Sequence, residues 1–151
     1  MRRADSSAPA GATTSSIEVR VPFFDTDAMG IVHHANYVRY LELARVRLLE
    51  EHQRPYTEWL DRGLHFAVTR VEVDYHRAAR FDDRIRVTAW VRWVRGASLA
   101  IGYALSVSGE TLVRATTEHA MVDDDGRPRR IPKELREEMA ALAVTHPGPA
   151  A

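Results

Sequence analysis

Residues 23–37 read Phe-Phe-Asp-Thr-Asp-Ala-Met-Gly-Ile-Val-His-His-Ala-Asn-Tyr, with two carboxylates, a glycine, two adjacent histidines and an asparagine in one short run. Several chemistries use such residues. Adjacent histidines on an extended segment point to opposite sides, and no His-x-x-x-His pair supports them, so His33 and His34 are not expected to share a metal ion. A phosphate loop needs a Gly-Lys-Ser/Thr run, and Gly30 stands alone. A serine triad would be framed by a Gly-x-Ser-x-Gly elbow, which is missing. What remains is Asp27, a few residues before a helix start, with Gly30 allowing a sharp turn between them. The first backbone N–H groups of a helix are unpaired and carry about half a positive charge. A carbonyl oxygen placed there is polarised, and the oxyanion formed on attack gains more than the ground state does. A carboxylate on the other side can attack that carbon or take a proton from an attacking water. The same residues admit a plainer reading, in which Asp25 and Asp27 cap turns as Asp often does. Residue types alone leave both open.

Either reading needs a strand entering this turn and a helix leaving it. Ile17, Val19, Val21 and Phe23 alternate with Glu18, Arg20 and Pro22, which predicts a half-buried strand. Pro22 cannot donate to a ladder, so the strand is placed at an edge or bends there. From Asn36 to Glu51 the period becomes helical. Tyr37, Leu41, Ala44 and Leu48 share a face, with Val38 and Tyr40 at its margins, while Leu43 and Val46 lie opposite. The helix is therefore expected to be buried around most of its circumference, with Asn36 as N-cap. Glu42 and Arg45, three apart, are expected to pair with each other.

Pro55–Arg62 predicts a short helix stopped by Gly63. Four strands follow. The first carries Leu64, Phe66 and Val68 and then Val71, Val73 and Tyr75, a change of parity that predicts a bulge. The others are centred on Ile85–Trp93, Leu99–Val107 and Val113–Met121. Gly96, Gly109 and Gly126 mark the joins, so successive antiparallel hairpins are expected. A helix over Ile131–Leu142 closes the chain, with Pro132 in its first turn. This order predicts an α+β fold with a five-stranded antiparallel sheet wrapped around one long helix. The domain is expected over residues 16–144, between flexible tails at 1–15 and 145–151. Its sheet edges need cover, which a second copy would supply.

Composition narrows the function classes. Lys plus Arg and Asp plus Glu both total 21, so the net charge is zero and nothing global favours nucleic acid. Cysteine is absent, which removes disulfides, thiolate metal sites and cysteine nucleophiles and suits a cytoplasmic setting. The N-terminal stretch lacks the apolar run of a signal peptide, and no segment has the ~20 apolar residues of a membrane span.

The run Asp25-Thr26-Asp27-Ala28-Met29-Gly30-Ile31-Val32-His33-His34-Ala35-Asn36-Tyr37 resembles the signature of the 4-hydroxybenzoyl-CoA thioesterase branch of the hot-dog superfamily, which includes Tol-Pal-associated acyl-CoA thioesterases. The likeness continues through Glu42, Ala44 and Arg45 and more weakly through Asp82-Asp83, Arg95–Ser98 and Pro132. It implies the same fold and an acyl-CoA thioesterase needing no metal or organic cofactor, coenzyme A being part of the substrate. Asp27 matches the catalytic carboxylate, and His34 the position whose amide binds the thioester carbonyl. Gly30, Val32, Asn36 and Tyr37 are implied to shape the substrate site. Val68, Arg95 and Ser98 would reach a neighbouring subunit's cleft, in a homodimer that pairs into a homotetramer. Gly96 and Ala97 stand where one branch is basic, so Arg127, Arg129 and Arg130 are alternative phosphate contacts. A carrier-protein thioesterase and a non-catalytic acyl-CoA-binding protein are the competing readings.

Overall fold

The alternating segments become five strands in a computed structural model that describes residues 8–143. They are β1 (Thr14–Arg20), β2 (His65–Tyr75), β3 (Arg84–Val94), β4 (Ser98–Val107) and β5 (Glu110–Val122). Three helices accompany them: α1 (Asn36–His52), α2 (Tyr56–Asp61) and α3 (Lys133–Leu142). The strands form one antiparallel sheet in the order β1-β3-β4-β5-β2, with α1 packed on its inner face. This is the hot-dog arrangement. Residues 1–7 and 145–151, expected as tails, fall outside the described residues, whereas Thr14 and Ser15 belong to β1 and not to a tail.

Several elements differ from expectation for identifiable reasons. β1 stops at Arg20, before Pro22, which offers no N–H to the ladder and leads instead into a single 3-10 turn at Phe23–Asp25. Its edge position is as expected, since it pairs only with β3. β3, β4 and β5 are successive hairpins, but β2 pairs with β5 and not with β3. The chain after β2 is drawn away to α1: Ala79 O accepts from Val32 N–H at 2.8 Å, and Ala79 N–H donates to Tyr37 Oη at 3.0 Å. The parity change in β2 is a bulge between Val68 and Arg70, as predicted.

α1 buries Tyr37, Tyr40, Leu41, Ala44, Leu48 and Leu49. Leu43 remains 55% exposed and Val38 38%, so one chain covers only one face of the helix, against the expectation of burial nearly all round. On the outer face of the sheet, Trp90 lies over Gly102. A Cβ at Gly102 would come within 2.6 Å of the indole, so the glycine is required there by close approach. Among the described residues no helix is long and apolar enough to cross a membrane.

Candidate active site

Two neighbouring carboxylates leave the turn before α1 in opposite circumstances. Asp25 is 3% exposed. Its carboxylate accepts from Tyr40 Oη at 2.6 Å and from Arg39 Nη1 at 3.0 Å, both on α1. Its main-chain oxygen accepts from His33 N–H and from Asn36 Nδ2, each at 2.9 Å. Burial and the Asp25 carboxylate together hold the Tyr40 phenol well above its ordinary range, so it stays a donor. Asp25 thus clamps the loop to the helix, although through side chains and not through the turn amides expected of it. Asn36 is part of that clamp as the first helical residue. Ala35 takes the N-cap position without a side-chain cap, which corrects the assignment of Asn36 as N-cap.

Asp27 heads a tight turn. Its N–H donates to Ile31 O and its carbonyl accepts from Gly30 N–H, both at 2.9 Å, while Gly30 adopts φ +76°, which favours glycine. Met29 N–H donates to Asp27 Oδ1 at 2.8 Å, which fixes the carboxylate and leaves Oδ2 without a protein donor among the described residues. Asp27, Val32, His34 and Tyr37 line one cleft of about 290 Å³. The opposite wall is Tyr75, His76 and Arg77, where the chain leaves β2. Sequence periodicity missed this wall, because nothing in the pattern of β2 shows the following loop turning back to α1.

At the helix start, Tyr75 Oη donates to His34 O at 2.8 Å and Ala35 N–H donates to His33 Nδ1 at 3.2 Å. The His34 N–H has no acceptor among the described residues. Tyr37 is buried, and burial raises its phenol above the usual range, so it too remains a neutral hydroxyl. The His33 and His34 rings stack at 4.3 Å and 27°, not on opposite sides as an extended chain would place them, because the segment is already turning into α1. Among the described residues no three His, Asp or Glu side chains converge as a metal site would require.

The remaining predicted residues lie elsewhere in the single chain. Val68, 50% exposed on edge strand β2, borders a separate cavity with Glu42 and Arg45. Arg95 and Ser98 close the β3–β4 turn, where Arg95 N–H donates to Ser98 O at 2.8 Å and its guanidinium stacks 4.1 Å from the Trp93 ring centroid. Arg130 reaches the same turn, with its guanidinium against Gly96, while Arg129 is held by Asp123 at 3.1 Å. Glu42 and Arg45 form no ion pair: Arg45 turns inward to donate to Tyr103 Oη at 3.2 Å, and Glu42 stays exposed.

Comparison with known proteins adds an independent line. A family model described as the thioesterase-like superfamily matches residues 21–139. The acyl-CoA thioesterase YbgC of Haemophilus influenzae is 36% identical over 125 residues, covering 80% of this chain and 90% of that protein. The acyl-CoA thioester hydrolase YbgC of Escherichia coli is 32% identical over 120 residues, covering 78% and 89%. Among solved structures, a hypothetical protein, TT1821, from Thermus thermophilus superposes with a TM-score of 0.82 at 29% identity, covering 88% of this chain and 100% of that one. A thioesterase complexed with coenzyme A and Zn, also from Thermus thermophilus, gives 0.73 at 31% identity, covering 84% and 92%.

Proposed function

The chain belongs to the thioesterase-like superfamily and is a thioester hydrolase, and from that premise we propose that it cleaves an acyl-CoA to a carboxylic acid and free coenzyme A, with Asp27 as the acting carboxylate. One observation carries this assignment: Asp27 and His34 line the same cleft at the N-terminus of α1, with one carboxylate oxygen and one backbone N–H left without partners among the described residues. The thioester carbonyl oxygen is placed on the His34 N–H, where the helix end favours negative charge. Asp27 Oδ2 then attacks the carbonyl carbon, or removes a proton from a water that does so. The carbon–sulfur bond breaks and coenzyme A leaves as the thiol, taking the proton that Asp27 removed from the water or, in the nucleophilic route, one from solvent. In the nucleophilic route water then hydrolyses the acyl–Asp27 anhydride, which frees the acid and restores the carboxylate. No metal or organic cofactor enters this reading. Val32 and Tyr37 form the cleft wall, Gly30 permits the turn, and Asn36 holds the loop to the helix.

The same reading makes the protein a homodimer that pairs further into a homotetramer. β2 is an edge strand exposed along nearly all its length, including Val68, Val71 and Tyr75, and Leu43 of α1 is bare as well. A second copy across that edge would cover them. It would bring its Val68 to the cleft, and its Arg95 and Ser98 to the coenzyme arm, with Arg130 beside them.

Release of free thiol from acetyl-, hexanoyl-, decanoyl- and benzoyl-CoA tests the proposal, with the matching acyl-carrier-protein esters as a second arm. Turnover of at least one coenzyme A ester is expected. Turnover of carrier-protein esters alone would favour that competing reading. Tight acyl-CoA binding without thiol release would make this a binding protein.

A further inference from the structure

A second cavity, of about 240 Å³, lies between α1 and the inner face of the sheet. Its apolar wall includes Leu49, Phe66, Leu99, Ile101 and Met139, and its polar groups are Glu42, Arg45 and His119. On α1 the Asp27 cleft reaches Tyr37 and this cavity is bordered from Glu42 to Leu49, so at 1.5 Å per helical residue their nearest lining residues stand about 8 Å apart along the axis. The cavity and the cleft share no lining residue.

His119 is 1% exposed, and its Nδ1 has no hydrogen-bond partner among the described residues. The proton on that atom follows from a directed chain of bonds. A guanidinium only donates, so Arg45 Nη1 donates a hydrogen bond to Tyr103 Oη at 3.2 Å, and the Tyr103 hydrogen is left for another acceptor. Tyr103 Oη and Thr117 Oγ1 lie 2.7 Å apart, as do Thr117 Oγ1 and His119 Nε2. The arrangement that gives each hydroxyl hydrogen an acceptor has Tyr103 donating to Thr117 and Thr117 donating to His119 Nε2. Burial, and then Arg45, push the imidazole down to about 3, so it is neutral and carries a single proton. With Nε2 accepting, that proton sits on Nδ1. A buried N–H left without an acceptor is costly, by about 1–3 kcal/mol.

The cavity thus offers one unspent N–H donor and one guanidinium that has no carboxylate partner among the described residues, inside a mainly apolar wall. Glu42, the one acidic lining residue among those described, is exposed. We propose that this cavity is a binding site for a small apolar carboxylate, its head held by Arg45 and the His119 Nδ1–H and its body packed on Leu99, Ile101 and Met139. At the ~30 Å³ that a water occupies, the space holds about eight non-hydrogen atoms, the size of hexanoate. The carboxylate can arrive as a free acid or as the far end of an acyl group presented from a second copy. The second route rests on the thioesterase reading; the first does not.

Calorimetric titration with hexanoate, and with hexan-1-ol as the uncharged control, tests the site on the full chain. Hexanoate is expected to bind at least tenfold more tightly than the alcohol. Arg45→Met should weaken it by at least tenfold, and Asp27→Asn should not. Val46→Trp, at a partly exposed helix position bordering the cavity, should block binding, and it decides the matter if Arg45→Met fails to fold. For the acyl route, kcat/KM should favour adipoyl-CoA over hexanoyl-CoA at least tenfold, and Arg45→Met should abolish that preference. Either pattern supports the site and identifies the source. Hexanoate binding that survives Arg45→Met and Val46→Trp, or that disappears in Asp27→Asn, would assign it to the cleft and overturn the proposal. So would absence of both hexanoate binding and the adipoyl preference.

Discussion

Asp25 and Asp27 stand two residues apart, and burial rather than residue type separates their roles. Asp25 is closed in by Tyr40 and Arg39, whereas Asp27 borders open space with a single amide on one oxygen. Asp27→Asn is accordingly expected to lower turnover at least about a hundredfold, the scale of one acid–base group, with an unchanged denaturation midpoint. Asp25→Asn should do the reverse, costing about 1–3 kcal/mol of stability through its weakened charge-assisted bonds. The two measurements are steady-state thiol release and urea unfolding. A stable Asp25→Asn with the larger loss of turnover would mean that the roles are exchanged. His34 contributes a backbone amide in this account, so the two substitutions of interest change different atoms. His34→Tyr is expected to retain most activity, whereas His34→Pro deletes the N–H and should lose it. A His34→Ala variant as inactive as the proline one would show that the imidazole itself acts.

Among the elements, β3, β4 and β5 were legible as strands because each alternates over most of its length between glycine-marked turns, although the register slip between Val91 and Trp93 in β3 went unread. The Val68-to-Val71 parity change announced its bulge for the same reason. Pairing was less legible. Alternation says which way side chains face but not which strand lies alongside, so the β2–β5 pair and the return of residues 76–79 to α1 could not be read from it. That blind spot hid the Tyr75–Arg77 wall of the cleft, while Asp27, Val32, His34 and Tyr37, which share one turn and its helix, were visible as a local run. Glu42 and Arg45 show a related limit: spacing made a helix-surface pair plausible, but the buried hydroxyl of Tyr103 claims the guanidinium. The strand-to-strand chain that continues to His119 has a measurable consequence. In the unfolded chain the imidazole titrates near 6.5, and in the fold near 3, so between those values the unfolded chain binds more protons. Its contribution to stability is complete above about pH 6.5 and is lost as pH falls toward 3, with a slope of up to ~1.4 kcal/mol per unit. His119→Gln should flatten the unfolding free energy between pH 6 and pH 4 relative to the native chain. Parallel pH profiles would show that this histidine is not held neutral.

At the scale of the molecule, one chain leaves β2 bare on its free edge and Leu43 uncovered on α1, and it keeps Val68, Arg95 and Ser98 away from its own Asp27. Both facts fit a site completed across a two-fold axis, with two equivalent clefts per dimer. A mixture of subunits tests this and the role of Asp27 together. Asp27→Asn chains and Val68→Trp chains, each inactive alone, are combined in equal amounts, exchange is verified by mass, and hydrolysis of the best acyl-CoA is measured. Half of the dimers should then be mixed, each with one site that has an intact Asp27 facing an intact partner strand. The account predicts recovery to about a quarter of native activity by this statistical count. No recovery despite complete exchange, or full activity in a monomer by light scattering, would contradict it.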